Sequence, residues 1–393
     1  MYVKRKLEKQ INKYLDRKEI IAITGTRQCG KTTMINHILK DYKKVNSITL
    51  EDIDDKTLFE NDIKSFVELH VKGYDYLFID EVQYANNSGK QLKYIFDTQD
   101  IKIIISGSSS TELSVESLKH LVGRIMVFEL YPFSFNEFLS FRDQKLHRIY
   151  LKGDFGQTVN QKIMDYLQEY MRFGGYPRVV ISDSEEEKRL VLKNIYNTYL
   201  LREIKEIFQL SRNDKLIKLL KGLAYQIGNM VKYQSLAQIS GFDHNTLKKY
   251  LQILEETYIC RRCKPYFTNK HKELVKRPKI YFVDHGSRNQ CAGNFEISPS
   301  EIGQFYENLI YSEHLKKGKK LKYWRTKSQA EVDFIKDEQI PIEVKATPEI
   351  TRSFLSYIEK YNPEQGYIVS EVEKESIERK GCQINFVPFA KFI

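Results

Sequence analysis

The chain has 393 residues, 41% hydrophobic and 29% charged, which is the composition of a folded protein with length for several domains and excludes disorder. No stretch approaches the roughly 18 consecutive apolar residues of a membrane-spanning helix, so no membrane partner is expected. The formal net charge of +11 suits a protein drawn to nucleic acid, or else a lysine-rich surface that is merely solvated. Five cysteines, an odd number spread along the chain, make no disulfide framework, and a reduced, cytoplasmic protein is the expectation. Cys260 and Cys263 form a lone CxxC without the second ligand pair a zinc site needs.

The opening segment, MYVKRKLEKQINKYLDRKE, is basic, lacks the apolar core and cleavage site of a signal peptide, and reads as an amphipathic helix. An apolar run through Thr24 then ends in GTRQCGKTT, residues Gly25, Thr26, Arg27, Gln28, Cys29, Gly30, Lys31, Thr32 and Thr33, followed by helical spacing from Met34 to Leu39. Strand, glycine loop and helix start are the context a P-loop requires. Its backbone amides curl around phosphates, Lys31 reaches the β- and γ-phosphates, and the Thr32 hydroxyl ligates magnesium. ATP and Mg²⁺ are therefore the expected cofactors.

The run Tyr76–Ile79 delivers Asp80 and Glu81 to the end of a second buried strand. Asp80 is placed to hold the magnesium shell and Glu81 to act as general base toward the attacking water. A third run, Ile101–Ile105, ends in Ser106-Gly-Ser-Ser-Ser110, where Ser106 or Ser108 would sense the γ-phosphate unless the segment is a plain polar turn. Arg124 reads as an arginine finger acting in trans, a sensor arginine or a surface ion pair. Action in trans would require a homo-oligomer.

Beyond Leu210 the apolar spacing is helical, then Ser235–Ser240, a turn at Gly241–Asp243 and an amphipathic stretch from His244 to Leu254 make a helix-turn-helix pattern. Strand-like runs at Tyr258–Arg262 and Lys279–Val283 would form a wing. With the second helix in a major groove, Asn245, Lys248 and Lys249 face DNA, and Arg261, Arg262, Lys270 and Lys272 run along the phosphates. The competing reading is a module that only packs domains together.

The last hundred residues hold an amphipathic helix, Glu301–Leu315, with Glu307, then strand-like runs at Leu321–Arg325, Ala330–Ile335 and Ile340–Lys345, a helix at 351–361 and a strand at Gly366–Ser370. Strand alternation puts Glu343 with Lys345 on one face and Glu331 with Asp333 on one face of the neighbouring strand. Asp333, Glu343 and Lys345 then converge, with Glu307 within reach. Carboxylates of this kind bind Mg²⁺ or Mn²⁺, and the lysine would activate water or stabilise phosphate charge. The plain alternative is a solvated strand face with cross-strand charge pairs.

Together GTRQCGKTT, FIDEVQ, SGSSS, LVGR followed by PFSFNEF, GGYPRVV and YLLREI resemble one family of prokaryotic AAA+-type ATPases across essentially the whole chain. The matching positions are Gly25, Gly30, Lys31, Thr32, Asp80, Glu81, Ser108 and Arg124. The resemblance implies an ATPase core, a helical lid, a winged helix and a nuclease-like C-terminal domain. The rear order of elements, with D-(x)9-E-x-K, resembles the PD-(D/E)XK nuclease superfamily, which implies catalytic Asp333, Glu343 and Lys345 with Glu307 auxiliary.

The expected fold is thus α/β: a P-loop core at 1–145, a helical lid at 146–212, a winged helix at 213–292 and a restriction-endonuclease-like domain at 293–393. The expected function is a Mg-dependent ATPase acting on DNA, with nucleotide state coupled to a DNA-binding and conceivably DNA-cleaving rear half. The alternative is an ATP-driven switch whose nuclease-like domain is inactive and recognises a partner.

Overall fold

The computed structural model describes residues 2–107, 120–204, 213–269, 273 and 276–393; Ser108, Lys270 and Lys272 lie outside them. The chain divides into two compact units, Met1–Phe133 with Gln252–Tyr258, and Ser134–Leu251 with Ile259–Ile393.

The first unit is built on a five-stranded sheet. Strands β1 (Ile20–Gly25), β2 (Val45–Thr49), β3 (Tyr76–Asp80), β4 (Lys102–Gly107) and β5 (Ile125–Leu130) lie in the order β2-β3-β4-β1-β5. All neighbouring pairs are parallel. β1 and β4 are buried along their whole lengths, which is why they read as uninterrupted apolar runs: a central parallel strand is covered on both faces. Helix α1 (Lys31–Leu39) lays Met34, Ile35 and Leu39 on one face, against Ile21, Ile23, Phe78 and Ile104. Leu77, Ile79, Ile103 and Ile105 meet Phe59, Phe66, Leu92 and Ile95 on the other. Because the strands are parallel, Gly25, Asp80 and Ser106 end on one edge of the sheet. At the opposite edge the buried Lys102 ammonium donates to the Tyr14, Arg17 and Glu19 carbonyls at 2.7, 2.7 and 2.6 Å and ties down the end of the opening segment.

The second unit contains helices α2 (Gln157–Phe173), α3 (Asp214–Ala224) and α4 (Tyr233–Ser240), and most of α5 (His244–Glu256). Gly241 closes α4 in a left-handed conformation, and the Asp243 carboxylate accepts from the Asn245 and Thr246 amides, both at 3.0 Å, to start α5. An antiparallel pair, β6 (Cys260–Cys263) and β7 (Lys279–Phe282), follows, with α6 (His285–Ala292) and α7 (Ile302–Lys316) after it. The C-terminal sheet is six-stranded, ordered β12-β13-β11-β10-β9-β8. Its strands are β8 (Leu321–Arg325), β9 (Glu331–Lys336), β10 (Ile340–Val344), β11 (Gln365–Ser370), β12 (Lys374–Arg379) and β13 (Cys382–Pro388). Helix α8 (Arg352–Tyr361) packs Phe354, Tyr357 and Ile358 against Trp324, Val332 and Ile368.

The final hairpin is an addition to the expected elements, which stopped at Ser370. Its signal is short: Lys380 and Gly381, both with positive φ, form a two-residue turn between Arg379 and Cys382.

Two motifs that carry no chemistry meet inside this unit. Asp284, buried, accepts from Ser287 N at 2.9 Å to cap α6 and from Gly175 N at 2.7 Å. Asn289 donates to the Met171 and Arg172 carbonyls at 2.9 and 2.8 Å, satisfying the end of α2. Gly286 lies so close to that end that a Cβ there would stand 2.1 Å from the Phe173 carbonyl oxygen. GGYP and DHG are thus the two halves of one packed joint.

Candidate functional site

The phosphate loop leaves β1 at Gly25, where a Cβ would fall 1.9 Å from the Leu130 carbonyl oxygen, so only glycine lets the loop turn beside β5. The loop is braced from outside by Arg5, which donates to the Cys29 carbonyl at 2.9 Å and the Tyr131 carbonyl at 2.6 Å. Cys29 is buried and its thiol faces Leu130 O at 3.4 Å. Gln28 takes a positive φ of 60°. Arg27 reaches Glu51 at 3.7 Å.

Lys31 is buried, and its ammonium donates to the loop's own carbonyls, Thr26 O at 3.2 Å and Gly25 O at 3.4 Å. Thr32 and Thr33 stand exposed on the first turn of α1. Thr32 Oγ1 donates to Asp80 Oδ2 at 2.7 Å, while Ser106 Oγ donates to Asp80 Oδ1. The Glu81 amide points back at Asp80 Oδ1 (3.2 Å) and Ser106 Oγ (3.4 Å). Glu81 itself has φ +54°, a left-handed conformation uncommon for a residue with a side chain and found where function holds it. Gln83 donates to the Glu81 carboxylate.

These residues fit a nucleotide and a hard cation. Thr26 Oγ1 is buried without a hydrogen-bond partner among the described residues, an orphan polar atom inside the loop. Thr32, Asp80 and Ser106 offer only oxygen donors. Ser106, fully buried, is the serine that meets Asp80 among the described residues.

Arg124 is elsewhere. It precedes β5, its carbonyl accepting from Ile20 N at 2.7 Å, and its guanidinium pairs with Asp97 at 3.0 Å. Gly25 lies at the far end of β1, about 17 Å away at roughly 3.3 Å per strand residue. Arg124 is therefore no phosphate sensor within its own chain. Within the chain its partner is Asp97, in a surface ion pair.

The second unit brings the predicted rear carboxylates together and adds a lysine among them. Lys345 Nζ lies 3.1 Å from Glu343 Oε1 and 4.0 Å from Asp333 Oδ2, which also accepts from Val344 N at 2.8 Å. Glu343 Oε1 takes a further bond from Thr351 at 2.9 Å, whereas its Oε2 is buried without a partner among the described residues. Lys279 from β7, almost fully buried, sets its ammonium 2.7 Å from Glu331, 3.2 Å from Glu307 and 3.9 Å from Asp333. Tyr281 donates to Glu307 at 2.7 Å, and Arg325 holds the other oxygen of Glu331 at 2.7 Å.

Lys279 stands among the carboxylates of the expected divalent site. Among the described residues no three His, Cys, Asp or Glu side chains are arranged to hold a metal ion. Glu307 and Glu331 reach the Lys279 ammonium, while Asp333 lies between it and Lys345, the lysine paired with Glu343.

Comparison with known proteins gives the first unit its class. Residues 17–139 match an AAA domain. Residues 164–298 and 302–392 match two domains of unknown function, DUF8612 and DUF4143, so a nuclease assignment for the rear is not part of the match. An uncharacterized protein of Methanocaldococcus jannaschii is 28% identical over 81% of this chain and 72% of its own length. A second from the same organism is 25% identical over 93% of this chain and 84% of its own length. A solved Walker-type ATPase of Pyrococcus abyssi shares the fold, with a TM-score of 0.50, 14% identity, and coverage of 74% of this chain and 96% of that one.

The first unit has the fold of a P-loop ATPase, and most of it matches an AAA domain.

In this unit the residues of the contiguous motifs, Lys31, Thr32, Asp80 and Glu81, stand at one end of the sheet. Sequence reasoning missed Arg5, Lys279 and Tyr281, none of which stands in a motif. No helix among the described residues is long and apolar enough to cross a membrane.

The rear cluster also carries a pH signature. Burial, with Lys279 opposing and Asp333 reinforcing, pushes the Glu307 carboxyl up to about 7. Burial, reinforced by Asp333 and opposed by Lys345, does the same to Glu343, also to about 7. A carboxyl raised in the folded state stabilises most below its unfolded value of 4.5 and loses that contribution as pH rises through 7. Glu343→Gln, uncharged throughout, should therefore gain on the parent by on the order of 3 kcal/mol between pH 4.5 and 7.5. Thermal melts across that range test this, and parallel curves for parent and variant would contradict the raised carboxyl.

Proposed function

We propose that the chain is a magnesium-dependent ATPase that acts on DNA, nucleotide state being coupled to a DNA-binding rear half. In this reading residues 1–145 are the core, 146–212 a helical lid, 213–292 a winged helix and 293–393 a nuclease-like domain. The Lys31 ammonium neutralises phosphate oxygens, and Thr32 with Asp80 would hold magnesium, Ser106 fixing the carboxylate's orientation. Magnesium there would supply charge shielding and phosphoryl orientation. Glu81 accepts the proton of the water that attacks the γ-phosphorus as the bond to the bridging oxygen breaks.

The observation that carries the DNA half is the exposure of Asn245, Lys248 and Lys249 along α5, while Leu247 and Leu251 bury the opposite side. Arg261 and Arg262 are half-buried on β6 beside it in sequence. Coupling is supported within the first unit, where the Tyr258 hydroxyl, two residues past the end of α5, meets Thr24 Oγ1 at 2.9 Å, one residue before Gly25. Fluorescence anisotropy with duplex DNA, with ATP or ADP, tests the reading. Affinity should fall by orders of magnitude between roughly 50 and 200 mM salt. Lys248→Ala/Lys249→Ala should weaken binding at least about tenfold and flatten the salt slope by about two.

Unchanged affinity in that variant would turn the reading to the ATP-driven switch, whose rear domain docks a partner. Lys279 among the rear carboxylates is the observation that favours this second reading.

A further inference from the structure

Lys279 raises a question that neither nucleotide turnover nor groove binding answers. A long basic side chain has been carried into the interior, where an unpaired ammonium is costly and survives only with carboxylates around it. It comes from β7, between α5 and α6, and not from the C-terminal sheet that supplies the carboxylates. Its contacts reach Glu331 on β9, Glu307 on α7 and, more distantly, Asp333 on β9. Burial works against its charge, yet Glu307, Asp333 and Glu331 together outweigh burial and keep it protonated.

The surrounding groups make this more than a stray ion pair. Tyr281, two residues on and on the same face of β7, donates to Glu307, so one strand delivers both a cation and a hydroxyl to one carboxylate. Arg325 claims the second oxygen of Glu331, and Val344 N claims one of Asp333. Each donor occupies a carboxylate oxygen that a metal ion would need. Glu343 is the exception: buried at 2% exposure, it keeps one oxygen without a partner among the described residues.

We infer that the Lys279 ammonium is the resident cation of this carboxylate cluster, and that it excludes divalent metal from the site. The inference deepens the reading of 293–393 as nuclease-like and leaves the ATPase reading untouched. On this account the rear domain is metal-free as folded. Withdrawal of Lys279 would leave Glu307, Glu331, Asp333 and Glu343 facing Lys345 and Arg325 alone, a net negative, oxygen-rich pocket of the kind a hard divalent ion takes. β7 also pairs with the segment after α3, Ile227 bridging Ile280 and Met230 bridging Lys279. The strand that carries the cation is thus anchored to the helix-turn-helix region.

The test uses the full chain carrying Asp80→Asn, which removes the metal ligand of the ATPase site, at pH 8 and without nucleotide. Mn²⁺ binding is read by electron paramagnetic resonance and by the shift in Tm. The Asp80→Asn parent should take up no Mn²⁺. Adding Lys279→Met should create one site per chain, at least about a hundredfold tighter than anything in the parent, with Tm raised by Mn²⁺. Adding Glu343→Gln as well should abolish it. Lys279→Arg, which keeps a cation, should behave as the parent. Mn²⁺ uptake by the parent that Glu343→Gln removes would overturn the inference, as would a folded Lys279→Met chain that binds none. Should Lys279→Met fail to fold, the parent and Lys279→Arg decide: the inference stands only if neither binds, and uptake by either overturns it. Failure here leaves ATP hydrolysis by the unmodified chain as a separate measurement.

Discussion

Lys31→Ala should lower ATP hydrolysis by about a thousandfold or more and loosen nucleotide binding by about tenfold to a hundredfold. Among the described residues Lys31 is held over the loop by contacts to the Gly25 and Thr26 carbonyls, neutral acceptors that leave its charge for phosphate oxygens. Glu81→Gln should separate the two effects. Its amide keeps the shape of the side chain but cannot accept the water's proton. Affinity for a fluorescent ATP analogue should stay within a few-fold of the parent, while turnover falls by about 10²–10⁴. Normal turnover in Glu81→Gln would move the general base to another residue. Normal turnover in Lys31→Ala would remove the phosphate loop from the mechanism altogether.

The second large effect is on stability. Gly286→Ala puts a methyl group 2.1 Å from the Phe173 carbonyl oxygen and 2.7 Å from its carbon, next to the Met171 and Arg172 carbonyls that Asn289 holds. Neither side of the joint can move without breaking the caps on α2 and α6. The expected cost is at the top of the range for overpacking, about 3 kcal/mol or more. For a unit of this size that is a fall in Tm of about 6–12 °C by calorimetry. Gly303→Ala is the control. Nothing lies within 4 Å of a Cβ there, and alanine should leave Tm unchanged or raise it slightly. Equal melting of the two variants would mean that the GGYP–DHG joint gives way more easily than its backbone contacts imply.

What could be read from the sequence follows from how far apart the partners stand. Lys31, Thr32, Asp80 and Glu81 sit in contiguous motifs whose spacing is itself the geometry: a strand, a loop, a helix start. Asp333, Glu343 and Lys345 were legible for a related reason, since a period of two assigns each residue to a face once the strands are known. Lys279 was not legible. Its carboxylates lie 28 to 54 residues downstream, and only the packing of β7 against α7 and β9 reveals that an ordinary-looking lysine points inward. The cluster looked like a metal site because the sequence displays the acids and hides the base. Ser106 and Ser108 were equivalent as letters; the pairing of β1 with β4 sets Ser106 opposite Ile23, and Ser108 lies outside the described residues. Arg124 shows the opposite case, since LVGR sits in a recognisable motif while parallel topology sends its arginine to the other end of β5 from Gly25.

The Arg5 brace bears on how this ATPase can be handled at the bench. Alignment draws the AAA domain at 17–139, but the guanidinium that steadies Cys29 and Tyr131 comes from twelve residues earlier. The same opening segment is pinned at its other end, where Lys102 gathers the carbonyls of Tyr14, Arg17 and Glu19. A fragment trimmed to the aligned bounds would keep every motif residue and still lose a strut of its nucleotide pocket. A fusion placed directly against Tyr2 would crowd that strut. Weak activity from either preparation would report on the missing brace rather than on the catalytic residues.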